Sequence, residues 1–231
     1  PEGARLFLYN EDYSEIRGAF TDYNITEDLL FVTGDFPGSH VIIEYYEPSD
    51  APFEGEVIIG SVGQAYIDIL NPESGNIDSE GYIGINCDEG IPLQNEKHAV
   101  CRYTFNDGTY SYLCSGALIN NAGQSVRPYF LTAAHCISTA EAAATIVAYF
   151  NYEAAACTSI TTNPSQTISG SSLLTTGSHS GYTLLRFDRL VPLPYSPYYA
   201  GWDVSAAIPE SSPSIHHPGG RTKRLALDYN P

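Results

Sequence analysis

The chain has 231 residues and a formal net charge of −17, long enough to bury a sizeable core in one or two domains. It holds no run of about 18 apolar residues, so no segment is suited to crossing a membrane as a helix. A surface this negative also makes nucleic acid a poor partner. Helical periodicity is scarce; most apolar runs are short, rich in Tyr, Ile and Val, and bounded by Gly, Pro, Asn or Asp, which predicts an all-β protein. In chain order, strands are expected at Arg5–Tyr9, Glu15–Phe20, Val41–Tyr46, Glu56–Ile59 and Ala65–Leu70, with turns at Pro37-Gly38 and Pro48-Ser49-Asp50. These read as a small β-sandwich. The polar stretch Asn71-Pro72-Glu73-Ser74-Gly75-Asn76 breaks the pattern and sets a boundary, giving units 1–75 and 76–231. Further strands follow at His98–Phe105, Tyr110–Ile119, Tyr129–Thr132, Thr145–Phe150 and Tyr182–Phe187, with a short helix at Ala140–Ala144.

Charge and cysteine usage are likewise uneven along the chain. Residues 1–90 hold 19 Asp and Glu against Arg5 and Arg17, while residues 91–231 hold eight of each sign. The first unit therefore carries a solubilising acidic face. All five cysteines, at 87, 101, 114, 136 and 157, lie in the second, which points to disulfides and an oxidising compartment, extracellular or periplasmic. The odd count, and an opening Pro1 without methionine or visible signal peptide, fit a processed or truncated piece of a longer precursor.

The stretch Tyr129-Phe130-Leu131-Thr132-Ala133-Ala134-His135-Cys136 runs an apolar strand into two alanines and then presents a histidine beside a cysteine. An imidazole at a strand end, with a pKa near neutrality, suits general-base work. Together with Cys114-Ser115-Gly116, this pattern resembles the histidine loop of trypsin/chymotrypsin-fold serine proteases. Leu118-Ile119-Asn120-Asn121, Phe150-Asn151-Tyr152, Ala200-Gly201-Trp202-Asp203 and Ile215-His216-His217-Pro218, with a looser match at Gln166-Thr167-Ile168-Ser169-Gly170, narrow it to the secreted bacterial lysyl endopeptidase-like branch.

The resemblance covers roughly residues 81 to 227 for the protease part, and residues 4 to 70 resemble the end of that family's pro-region. It implies disulfides Cys114–Cys136 and Cys87–Cys157. Cys101 is then left over, either buried as a small hydrophobe or awaiting a partner outside this chain. It further implies that about six strands, with a histidine loop near the third, form the first of two β-barrels. The second would begin before the chain ends, and the pro-region would pack on the protease domain. His135 would be the general base for acyl transfer on a protein or peptide substrate. No cofactor is implied.

Two parts of that machinery depart from the family's pattern. The orienting aspartate opens a strand of the form Asp-aromatic-Thr-Leu-Leu; here the stretch is Gly181-Tyr182-Thr183-Leu184-Leu185, and glycine offers no acceptor to the imidazole. Loss of that group typically lowers turnover about 10⁴-fold. Asp188 lies seven residues on, roughly 20 Å along an extended strand, and Asp203 accompanies the family's aspartate rather than replacing it. Neither nucleophile string, Gly-Asp-Ser-Gly or Gly-Ser-Ser-Gly, occurs. Ser115-Gly116 sits in a core strand and Ser169-Gly170-Ser171 in a polar loop, while Gly177-Ser178-His179-Ser180-Gly181 has histidine at its centre and no helix after it. The serine, and much of the pocket that in this family selects lysine, are expected beyond Pro231.

The remaining histidines suggest no metal. His216 and His217 are neighbours on an expected strand, point to opposite faces, and read as structural or as part of the site rim. His40, His98 and His179 show no constellation. Asn24-Ile25-Thr26 fits a glycosylation sequon. The leading expectation is thus a segment of a secreted trypsin-like serine endopeptidase, inactive as it stands. The alternative is a pseudoprotease barrel serving as a binding or adhesion module, and a third reading makes the acidic first unit an independent binding sandwich.

Overall fold

The computed structural model describes residues 1–26, 29–66, 70, 81–157, 159, 162, 165–205 and 207–229. These form two units, Pro1–Gln64 and Ala65–Pro231. The expected boundary at 71–76 and half of the expected strand at Ala65–Leu70, residues 67–69, lie outside the described residues.

The first unit is one antiparallel sheet of β1 (Arg5–Tyr9), β2 (Ile16–Phe20) and β3 (Ile42–Tyr46), in the order β2-β1-β3. Where two facing layers were expected, the described residues hold this single layer. Leu8 is its buried apolar residue, and every residue of β3 is exposed. Glu56–Ile59 forms no strand. Val57, Ile58 and Ile59 lie exposed in irregular chain, because a β-branched run becomes a strand only where a neighbouring edge pairs with it. Asn24 of the sequon closes a capping box, its Oδ1 accepting from the Thr21 amide at 2.9 Å.

The second unit is built on a seven-stranded antiparallel sheet. It comprises β5 (Val100–Asn106), β6 (Ser111–Ile119), β7 (Tyr129–Ala133), β8 (Val147–Tyr149), β9 (Thr167–Ser169), β10 (Ser171–Gly177) and β11 (Tyr182–Phe187), in the order β10-β11-β7-β6-β5-β8-β9. The outermost strands, β9 and β10, follow one another in the chain with only Gly170 between them. The sheet must therefore curl until its edges meet. Gly170 seals that corner: its N–H donates to the Ile146 carbonyl at 2.9 Å and its carbonyl accepts from the Asp188 amide at 3.3 Å. Closure removes the open edges that would otherwise invite pairing with another chain. Counting β9 and β10 as one bent strand recovers the six strands expected, and corrects the reading of Ser169-Gly170-Ser171 as a polar loop.

Cys101, Tyr103 and Phe105 alternate along β5 into the barrel, where they meet Leu118, Phe130, Leu185 and Phe187. This is the period-two pattern of a strand with an apolar inner face. The outer face of β5 is covered as well: the buried Arg102 guanidinium lies 5.0 Å from the Tyr149 ring centroid and 4.5 Å from that of Tyr152. The helix α1 (Ala140–Ala144) forms where expected. Its N-cap Thr139 accepts from the Ala142 amide, and Ala142 and Ala143 pack inward.

A second sheet joins β12 (Ser212–His216), β13 (Arg224–Asp228) and β4 (Ile83–Gly84) in that order. The sequence reading missed β4 and β13, together with β9 and β10, and set no bounds for β12 beyond placing His216 and His217 on a strand. They are short, interrupted by proline or serine, or paired with segments far away in the chain. His98 ends a one-turn 3-10 helix, Glu96–His98, rather than opening β5. No helix among the described residues is long and apolar enough to cross a membrane.

Candidate active site

His135 sits in the tight turn that follows β7, and its side chain is exposed. Four constraints hold that turn. The Cys136 amide donates to the Ala133 carbonyl at 3.1 Å, which folds the chain back directly after the strand. The Ala134 amide donates to the Gly181 carbonyl at 2.9 Å, which extends the β7–β11 pairing by one step past Tyr182↔Ala133. The buried Thr183 hydroxyl donates to the Ile137 carbonyl at 2.6 Å. Finally, Cys136 is disulfide-bonded to Cys114 of β6, with Cα atoms 6.5 Å apart. No hydrogen bond holds the imidazole itself among the described residues.

Each residue of the histidine motif has an identifiable task. Thr132 donates its single hydroxyl proton to the Ser115 carbonyl at 3.0 Å, so the Tyr103 hydroxyl, 2.7 Å away, must donate to Thr132. That chain ties β5, β6 and β7 together behind the turn. Gly116 is required by close approach, since a Cβ there would fall 2.5 Å from the Phe130 ring and 2.9 Å from the Leu131 carbonyl.

Gly181 closes the hairpin between β10 and β11, with φ at +72° and its amide donating to the Gly177 carbonyl at 2.7 Å. Position 181 thus neighbours the His135 turn through the backbone, and nothing lies within 4 Å of where its Cβ would be. Asp188 lies beyond the far end of β11 and accepts from the Ser172 hydroxyl at 3.1 Å. Asp203 accepts from the amide and hydroxyl of Ser205 in an exposed loop. Neither carboxylate is hydrogen-bonded to His135.

The other sulfur atoms also find their places. Cys87–Cys157 forms, with Cα atoms 4.4 Å apart, as the resemblance implied. Cys101 is fully buried in the barrel core, where desolvation pushes its thiol up to about 12, so it is present as the unreactive thiol.

His217 lies past the end of β12 rather than on it, and it is buried. Its Nδ1 lies 2.9 Å from the Arg221 carbonyl, which only accepts, so Nδ1 carries the proton. Burial, and then the positive charge of Lys223, hold its pKa well below the usual histidine value. His216 stacks edge-on to Tyr82 at 5.0 Å. Among the described residues, no three His, Cys, Asp or Glu side chains converge as a metal site.

Sequence reasoning missed a buried ionic cluster beside these histidines. Glu153 takes Lys97 on one carboxylate oxygen at 2.7 Å and Lys223 on the other at 3.3 Å. Lys223 also donates to the Lys97 carbonyl at 2.6 Å, and Lys97 to Asn86 at 2.8 Å. The cluster joins the lead-ins to β5 and β13 to the chain after β8. Its members stand 56 and 70 positions apart in sequence, so no local spacing announced them.

An exposed histidine on a disulfide-braced turn at the lip of a closed antiparallel barrel is a protease-like arrangement. Residues 76–231 match the family description "Lysyl endopeptidase, C-terminal domain", and the chain belongs to that family. It is 33% identical over 140 residues to the lysyl endopeptidase of Pseudomonas aeruginosa, an alignment covering 57% of this chain and 30% of that protein. The chain thus spans less than a third of that relative. Among solved structures, it is similar to the scabies mite inactivated protease paralogue S-I1, at 17% identity and a TM-score of 0.42, over 58% of this chain and 61% of that one.

Proposed function

We propose that residues 76–231 form the base-bearing part of a secreted, trypsin-like serine endopeptidase domain, that residues 1–75 are its pro-region, and that the substrate is a protein or peptide. The observation that carries this reading is the braced turn at His135, beside which the backbone of residue 181 is hydrogen-bonded. In this role His135 takes the proton from an attacking serine hydroxyl and returns it to the leaving amine. Two disulfides agree with an oxidising, extracellular setting.

The 231 residues contain neither serine string of the family, and position 181 supplies no carboxylate. This chain alone should therefore leave a lysyl ester unhydrolysed above the buffer rate. The decisive test places Gly181→Asp in the full-length precursor. The site has room for the side chain, and aspartate is among the residues that tolerate positive φ, at a cost of about 1–2 kcal/mol. Lysyl-ester hydrolysis is expected to rise in the variant. Turnover no higher than that of the Gly181 form would show that residue 181 is not the lesion.

The absent carboxylate specifically favours a second reading, a pseudoprotease barrel used for binding. It predicts that the full-length precursor neither hydrolyses lysyl esters nor reacts with a fluorophosphonate probe.

A further inference from the structure

Asn151, in the Phe150-Asn151-Tyr152 stretch, adopts φ +51°, a left-handed conformation that asparagine enters more readily than most residues. Its side chain is fully engaged. Nδ2 donates to Gln166 Oε1 at 2.7 Å and to the Tyr195 backbone carbonyl at 2.8 Å, while Oδ1 lies 2.8 Å from His98 Nδ1. A backbone carbonyl only accepts, so the amide atom facing Tyr195 must be the nitrogen, and this fixes the orientation of the whole amide. Oδ1 therefore faces His98, and His98 Nδ1 must carry a proton to donate to it. In the neutral ring the lone pair is then on Nε2, which has no hydrogen-bond partner among the described residues. This corrects the reading of His98 as a histidine without a constellation.

His98 lines an open cleft of about 480 Å³ with Asn95, Leu193, Ser196, Pro197 and Tyr198. Leu193 is 84% exposed, and Ser196 holds φ +53° at the end of the turn Leu193–Tyr195. Tyr198 packs part of its ring on the barrel core, so that wall is firm. Leu193, Pro197 and the Tyr198 ring give the cleft apolar walls, Asn95 and Ser196 are polar, and no carboxylate is among the described lining residues. Among these residues a cation would find no counter-charge, whereas a flat apolar group carrying one neutral donor would meet both the apolar walls and the acceptor that the tautomer leaves on His98. We propose that this cleft is a binding site for a phenol-bearing group, the tyrosyl side chain of a peptide, with the hydroxyl donating to His98 Nε2 and the ring lying against Leu193, Pro197 and Tyr198. The site stands independently of any role for His135.

The test uses the full chain with nitrogen-labelled histidine. Long-range proton–nitrogen correlation should show His98 as the Nδ1–H tautomer, with assignment from His98→Gln. Adding N-acetyltyrosinamide should move the His98 Nε2 resonance saturably. N-acetylphenylalaninamide, which lacks the donor, should bind roughly fivefold more weakly, the loss of one net hydrogen bond. In His98→Leu, which has no acceptor, the two amides should bind alike, and in Asn151→Ser the tautomer should become mixed. Any of three results overturns the proposal: an Nε2–H tautomer in the free protein, equal affinity for the two amides in the unsubstituted chain, or a His98 Nε2 resonance unmoved by tyrosinamide.

Discussion

Glu153 is the residue that carries the counter-charge for two buried lysines, Lys97 and Lys223. Burial raises its pKa, but Lys223 and Lys97, with a hydrogen bond from Asn86, outweigh that and hold it below the ordinary glutamate value. Replacing it by glutamine would leave two buried ammonium groups without their counter-charge. Glu153→Gln is expected to destabilise the second unit by about 3–5 kcal/mol, measured by urea unfolding at neutral pH. The sign of the pH dependence follows from linkage. With the folded carboxyl below 4.5 and the unfolded one near it, the unfolded chain binds more protons as acid is added. The ion pairs therefore contribute fully above about 4.5, and their contribution fades as pH falls through the folded value. The variant should show a flatter acid limb. An unchanged limb would mean that the cluster does not titrate with unfolding.

At the scale of elements, the turn carrying His135 owes its rigidity to cross-strand ties. The Cys114–Cys136 bridge closes a span of 22 residues, which in the chain-entropy model contributes about 3 kcal/mol. The double replacement Cys114→Ala, Cys136→Ala should lose about that amount in chemical denaturation. It should also raise amide exchange at Ala134–Ile137 above that in the middle of β7. Uniform exchange across β7 and the turn would show that the Gly181 and Thr183 hydrogen bonds suffice alone. The alternating inner face of β5 and the Tyr182–Phe187 strand were legible in the sequence because their periodicity is local. β4 and β13 were not, since each becomes a strand only through a partner more than a turn away. The sequence marked His135 through its motif, yet it gave no sign that Asn151 orients His98. That relation depends on the Tyr195 carbonyl, 44 positions downstream.

The whole molecule carries thirteen acidic residues against two arginines within Pro1–Gln64, out of its formal charge of −17. A single three-stranded sheet with little buried apolar surface has slight cohesion to set against such self-repulsion. Raising sodium chloride from about 20 to about 300 mM, which shortens the screening length several-fold, should raise the midpoint of the first unit's thermal transition. The transition of the second unit, whose formal charge is −6 against −11 for the first, should move less. Equal shifts, or a fall for the first unit, would show that its acidic face does not limit its stability.

Composition and strand periodicity were enough to expect an all-β chain, and the histidine motif with the further short matches to mark its resemblance to the lysyl endopeptidase family, because alternation, turn residues and short motifs are local properties that a linear sequence displays. Which strands close the barrel at Gly170, that Lys97, Glu153 and Lys223 meet, and which nitrogen of His98 bears its proton were decided only in three dimensions. Each depends on groups brought within hydrogen-bonding reach by the folded chain, and such contacts leave no spacing rule in the sequence.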